Sequence, residues 1–278
     1  MRTALDIEQY FDAIHHGETL RLKQLLTANP GLIDETASPM DAAIKDNGGT
    51  GLHAAVHANQ PEIARILLDA GVDINARTRE GRTALHDSIE FGRGDIQKLL
   101  LDHGAEVDIN AAAILGRVDA VRAFLDHDPE LANDFTTELS PLGWAAFGNQ
   151  VLTATLLLER GARMDDGELL CAASVGHVEV GKLLLAHGAD PDAIDPVAGG
   201  NALHAAASMR YSHDSRRFIE MLLDAGADPS IRTIHGRTAL EIAEMKAEEQ
   251  EARPVQYPKR YSEVASLLAR RTGAASAT

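Results

Sequence analysis

The sequence predicts an all-α repeat solenoid of stacked helix–turn–helix units with short β-hairpin fingers. Paired apolar residues recur along the chain: Leu25-Leu26, Leu67-Leu68, Leu100-Leu101, Phe124-Leu125, Leu157-Leu158, Leu184-Leu185, Leu222-Leu223 and Leu267-Leu268. Their steps are 42, 33, 24, 33, 27, 38 and 45 residues. The stretch from Gly81 to Gly104 reads as a turn, a short helix, a second turn and a second helix, and GTGLHAAVHANQPEIARILLDAG from Gly49 repeats it, with His53 and His86 33 residues apart. A helix pair this short cannot bury its apolar face alone, so each copy needs neighbours.

Within the best copy, Thr83 is placed as an N-cap. Ala84, Leu85, Ser88 and Ile89 follow at helical spacing. Gly92, Arg93 and Gly94 break the first helix, and Asp95 suits the positive end of the second. Ile96, Leu99 and Leu100 form its buried stripe, and Gly104 ends it in a left-handed turn.

Along the chain the same reading gives one array of about eight units: 1–37, 38–78, 79–108, 109–135, 136–165, 166–196, 197–233 and 234–271, with a disordered tail at 272–278. In the first, Phe11, Ala13, Ile14, Leu22, Leu25 and Leu26 face inward, Asn29-Pro30 ends the second helix, and Tyr10, His15 and His16 face solvent. Ser38-Pro39-Met40-Asp41-Ala42-Ala43-Ile44 reads as an extra turn or half-repeat. The fourth and sixth units follow so closely that a full hairpin finger has no room before them. The seventh carries an insert at Arg210 to Ser215. The eighth carries one at 247–260, where Ala247 to Glu251 extends a helix and Pro254 and Pro258 force a loop.

The T-x-L-H pattern at Thr83-Ala84-Leu85-His86, with the 33-residue period, resembles the ankyrin-repeat family. The resemblance implies that His53, His86 and His204 are structural ties. It also implies that residues flanking the buried alanines of each inner helix face a concave groove, which places an apolar stripe of Phe91, Ile114, Leu115, Trp144, Phe147, Val175 and Met209 there. His57, Asp87 and Glu90 face the same side. Inner helices of adjacent repeats stand about 10 Å apart, which is expected to keep these three from all bonding directly.

A formal net charge of −16 argues against nucleic acid or an anionic membrane as partner. Cys171 is the only cysteine, so an internal disulfide is impossible and a reducing, cytoplasmic compartment is expected. The N-terminus carries acids where a secretory leader would be apolar, and no apolar run reaches 18 residues. No C-x-x-C, H-E-x-x-H, P-loop or G-x-S-x-G is present, and Ser212-His213-Asp214 is adjacent in sequence only. No catalytic residue, metal or cofactor is assigned.

The function expected is a non-enzymatic protein-interaction module. Its groove docks an apolar or helical segment of another protein, with Trp144, Phe147, Phe91 and Leu115 as anchors and Asp87 and Glu90 selecting basic flanks; the protein itself is expected to be a monomer. One alternative is a small-molecule binder or unusual enzyme, with His57, Asp87 or Glu90 as polar groups of an enclosed pocket. Another is a scaffold or homo-oligomer with the stripe buried between copies.

Overall fold

A computed structural model describes residues 3–36, 48–165, 167–196, 199–209, 215–252 and 260–273. Sixteen α-helices occur among them in successive pairs: α1 Ala4–His15 and α2 Thr19–Ala28; α3 Gly51–His57 and α4 Pro61–Asp69; α5 Ala84–Glu90 and α6 Gly94–Asp102; α7 Ile109–Ile114 and α8 Val118–His127; α9 Pro141–Phe147 and α10 Val151–Glu159; α11 Gly167–Val175 and α12 Val178–Ala186; α13 Ala202–Ser208 and α14 Ser215–Asp224; α15 Ala239–Ala252 and α16 Arg260–Thr272. Two 3-10 turns, Pro30–Asp34 and Pro129–Asn133, follow α2 and α8. The fingers show isolated bridges, Thr36 with Thr50 and Arg77 with Thr83, rather than strands among the described residues.

The chain divides into two compact units. The first comprises residues 1–111 and 135–138; within it α1, α3 and α5 pack in series as an inner layer and α2, α4 and α6 as an outer one. The second comprises residues 112–134 and 139–278; within it α9, α11, α13 and α15 form the inner series and α8, α10, α12, α14 and α16 the outer. Small residues let the inner helices approach. Ala54, Ala55, Ala145, Ala146, Ala172, Ala173, Ala206 and Ala207 are all buried. In six of the eight apolar pairs one member fills the space beneath, at Leu67, Leu100, Leu125, Leu157, Leu184 and Leu222; Leu267 and Leu268 are both buried, and Leu25 and Leu26 are half-buried.

The turn between inner and outer helix requires one residue in the left-handed region. Gly92 supplies it at φ 63°, and Asn59 and Asn149 do so at φ 54° and 57°. Asparagine tolerates that conformation better than other side chains.

The histidine of T-x-L-H works as a two-ended tie. Nδ1 of His86 accepts from the Thr83 amide at 3.1 Å, which fixes the proton on Nε2. Nε2–H then donates to Asp108 Oδ1 at 3.1 Å. His53 accepts from the Thr50 amide and donates to the Arg82 carbonyl at 3.3 Å. His204 accepts from the Asn201 amide and donates to the carbonyls of Ile231 and Arg237. Burial holds the His53 and His204 imidazoles below their usual range, so the neutral tautomer this tie needs is the favoured one.

Several expectations change. Tyr10 is fully buried, its ring edge-on to Phe11 at 5.1 Å, because α1 packs on both α3 and the turn at Pro30–Asp34. Thr272 belongs to α16, with its hydroxyl bonded to the carbonyls of Leu268 and Ala269, rather than to a tail. Helix α15 continues through Ala247 to Glu251 as expected. Ser38 to Ile44, residues 210–214, Pro254, Pro258 and residues 274–278 lie outside the described residues.

Candidate functional site

In the first compact unit, three of the sequence-predicted residues come together around a fourth that sequence reasoning missed. Arg82 precedes the Thr83 cap of α5 and is 11% exposed. Its Nε donates to Asp87 Oδ1 at 2.7 Å, one Nη donates to Glu90, and the other to Glu138. The second oxygen of Asp87 accepts from His57 Nε2–H at 2.9 Å. Adjacent repeats are therefore bridged directly by His57 and Asp87, while Glu90 joins them only through Arg82. His57 ends α3 and Asp87 sits mid-α5, so both side chains reach into the gap rather than standing a full helix diameter apart.

The electrostatics follow from burial. Asp87 is 1% exposed, and burial by itself pushes its pKa up. The hydrogen bond from His57 and the charge of Arg82 more than offset this, and the carboxyl ends below its usual range. Arg82 is raised: burial lowers it, but the three carboxylates outweigh that. One guanidinium faces three acids, so the cluster keeps an excess of negative charge. Phe91, at the C-cap of α5, is 42% exposed and lies over the cluster, its ring 4.8 Å from that of His57. Glu90 and Glu138 are part-exposed beside it.

The signal for Arg82 was present: acids stand five and eight residues after it. Arg237 occupies the same place before Thr238, but Ile242 and Met245 stand there instead, and Arg237 is exposed with Nη1 against the Met245 sulfur. The acids therefore decide the cluster, not the arginine alone.

The apolar stripe fares differently. In the second compact unit Trp144 is 1% exposed, packed edge-on against Phe147 at 6.2 Å. Ile114 and Met209 are buried as well. These three are core rather than open groove. The physical reason for Trp144 is its register: four residues after the cap is the middle of a two-turn helix, and α9 is flanked there by the 3-10 turn on one side and α11 on the other. Residues in the last turn keep more solvent, and Leu115, Phe147 and Val175 are half-buried.

Cavities of 640 and 490 Å³ lie between outer helices, the first lined by α12 and α14 (Lys182, Arg217, Met221) and the second by α4 and α6 (Arg65, Lys98, Leu99). Among the described residues no group of three metal-ligating side chains occurs, and no helix is long and apolar enough to cross a membrane.

A family model of ankyrin repeats in three copies matches residues 11–111 and 169–252. The chain belongs to the ankyrin-repeat family. Its members are generally protein-interaction modules. Among solved structures, the human ASB11 ankyrin repeat domain is similar at 22% identity, over 97% of this chain and 98% of that one, with a TM-score of 0.41. The ankyrin repeat domain of Bcl-3, described as a unique member of the IκB family, is similar at 24% identity over 94% and 97%, with a TM-score of 0.37. No curated protein matches. The ankyrin assignment accounts for the histidine ties. It does not account for the Arg82 cluster, which uses side chains outside the T-x-L-H pattern.

Proposed function

We propose that this ankyrin-repeat chain is a non-enzymatic interaction module that docks a partner polypeptide on the last turns of its inner helices. The observation that carries the reading is Phe91, a large ring 42% exposed above a buried, negatively biased ionic cluster. An exposed aromatic held in place from beneath presents apolar area at little ordering cost, which is the character of an interface anchor. Glu90 and Glu138 at its rim favour a partner with basic flanks. Leu115, Phe147 and Val175 are the corresponding half-buried positions of the second compact unit. Trp144, Ile114 and Met209 are buried, and Trp144 packs against Phe147 from the core. Trp144→Ala is accordingly a stability variant and a poor test of binding.

The test replaces Phe91 with a photo-crosslinking phenylalanine analogue in the source cell, with Leu152 of α10 as the control. Leu152 is 74% exposed on an outer helix. A defined adduct from position 91 and none from position 152 is expected. Affinity for the captured protein then falls by at least about fivefold, roughly 1 kcal/mol, in Phe91→Ala. Adducts of equal yield at both positions, or none at 91, would overturn the reading.

A further inference from the structure

A second polar feature stands apart from the Phe91 face. Glu168, in the first turn of α11, is 5% exposed. Its Oε1 accepts from the Ser140 hydroxyl at 2.9 Å, and Oε2 is buried without a hydrogen-bond partner among the described residues. The carboxyl lines a crevice of 120 Å³ with Met164, Leu169, Gly188, Ala189 and Asp190, all in the second compact unit. A buried acceptor left unpaired is costly, so native structures rarely keep one without a use.

The surroundings say what the use is. Among the described residues no lysine or arginine faces Glu168, and the charge acting on it, Asp165, has the same sign. Asp190 opens the far side of the crevice as an exposed acid. A multivalent metal needs more ligands than these residues provide, since no group of three occurs among those described. One free oxygen suits a compact point donor better than the planar fork of a guanidinium. The Met164 and Leu169 side chains offer an apolar wall for a methylene stem. The volume admits about four groups of water size at ~30 Å³ each, matching an ammonium with three methylenes.

We propose that this crevice is a binding site for a single alkylammonium group, the end of a lysine side chain from a partner polypeptide, received by Glu168 Oε2 with Asp190 at the mouth. Burial pushes the Glu168 carboxyl up to about 7, and Asp165 adds to the rise. The amides of Glu168 and Asp165 and the Ser140 hydroxyl offset it only in part. An ammonium entering the crevice favours the carboxylate, so occupancy and proton release are linked.

The linkage supplies the test. The full chain, with ¹³C-labelled glutamate, is titrated by carboxyl NMR. The Glu168 resonance is assigned through its own amide and checked by its absence in Glu168→Gln. Three probes are added in turn: n-butylammonium, the blocked tripeptide acetyl-Gly-Lys-Gly-amide, and neutral n-butanol. Both amines are expected to lower the Glu168 midpoint, by about one pH unit at tenfold excess over Kd, while butanol leaves it in place. Asp190→Asn should raise the amine concentration needed severalfold. A midpoint unmoved by both amines overturns the site. Movement by butylammonium but not the tripeptide overturns the lysine and assigns the crevice to a free amine. Movement by butanol as well shows apolar filling rather than charge recognition.

Discussion

The third and fifth repeats make the same joint in two ways. In the third, the T-x-L-H histidine is present. His86 takes the Thr83 amide on one nitrogen and Asp108 of the next repeat on the other, and both ends are satisfied. In the fifth, Gly143 stands where the histidine would be, and the Ser140 hydroxyl reaches Glu168 of the next repeat by itself. Both following repeats start without room for a finger, and both put an acid four residues before a buried alanine pair, Ala112-Ala113 and Ala172-Ala173, to reach back. The difference lies in how the acid fares. Asp108 is held well below the usual carboxylate range: burial opposes this, but the bonds from His86, the Ala111 amide and Arg77 prevail. Glu168 is raised to about 7, because burial outweighs the Ser140 hydroxyl and the amides of Glu168 and Asp165. The same position in the repeat is thus a closed structural tie in one place and a strained, half-satisfied acid in the other.

The largest expected effect breaks the satisfied side. Arg82 neutralises Asp87, Glu90 and Glu138 at once, and Asp87 is almost wholly buried. Arg82→Ala leaves a buried carboxylate unpaired on one side, and a loss of about 3–5 kcal/mol is expected in the first compact unit. Hydrogen exchange at the amides of α3 and α5 measures it. Asp87→Asn in the same chain should recover part of the loss, because the uncompensated charge is gone. Arg237→Ala, at the same register but exposed and without acids, should cost under about 0.5 kcal/mol. Equal losses at 82 and 237 would mean the cap position rather than the ion cluster matters.

The next effect sharpens the strained side through pH. A glutamate raised in the folded state keeps its proton where the unfolded chain has lost it. Stability from Glu168 is therefore full below about pH 4.5 and lost as pH rises to about 7. Glu168→Gln keeps an acceptor for Ser140 and removes the charge. It should match the wild type at pH 4, exceed it progressively above that, and level off above pH 7 at about 3 kcal/mol, taking ~1.4 kcal/mol per pH unit. Urea unfolding across this range reads it. A difference that does not vary with pH would place the cost in packing instead.

This contrast also shows what the sequence made legible. The 33-residue period and the leucine pairs specify the fold because every copy repeats the same burial problem. The histidine tie is legible for the same reason. The Arg82 cluster is not, because it is built once, from two inner helices and the finger residue Glu138, and no periodicity reports a pairing that occurs once. Trp144 misled for a related reason. Its register is the one at which Asp87 sits, and both are buried. Position in a helix specifies direction, but neighbours decide whether a side chain in that direction meets water. Glu168 stands in a helix start lacking the family pattern, where only the partners of its two oxygens distinguish it from a surface acid.

The smallest effect converts one joint into the other. Gly143→His restores the imidazole at the register of His53, His86 and His204. A Cβ there meets Leu139 Cβ at 3.3 Å and Ser140 Oγ at 3.6 Å, close enough to need a slight give and no more. Replacing glycine inside a helix is itself worth about 0.5–1 kcal/mol, so Gly143→Ala is the proper reference. Relative to alanine, histidine should add about 1 kcal/mol above pH 7, where Glu168 is ionised and an imidazole N–H can donate to it. The Glu168 midpoint should fall in the histidine variant and stay in the alanine one. If histidine adds nothing beyond alanine and the midpoint holds, Glu168 is not within reach of that register. The unpaired oxygen then faces the crevice alone, which strengthens the case that an outside donor completes it.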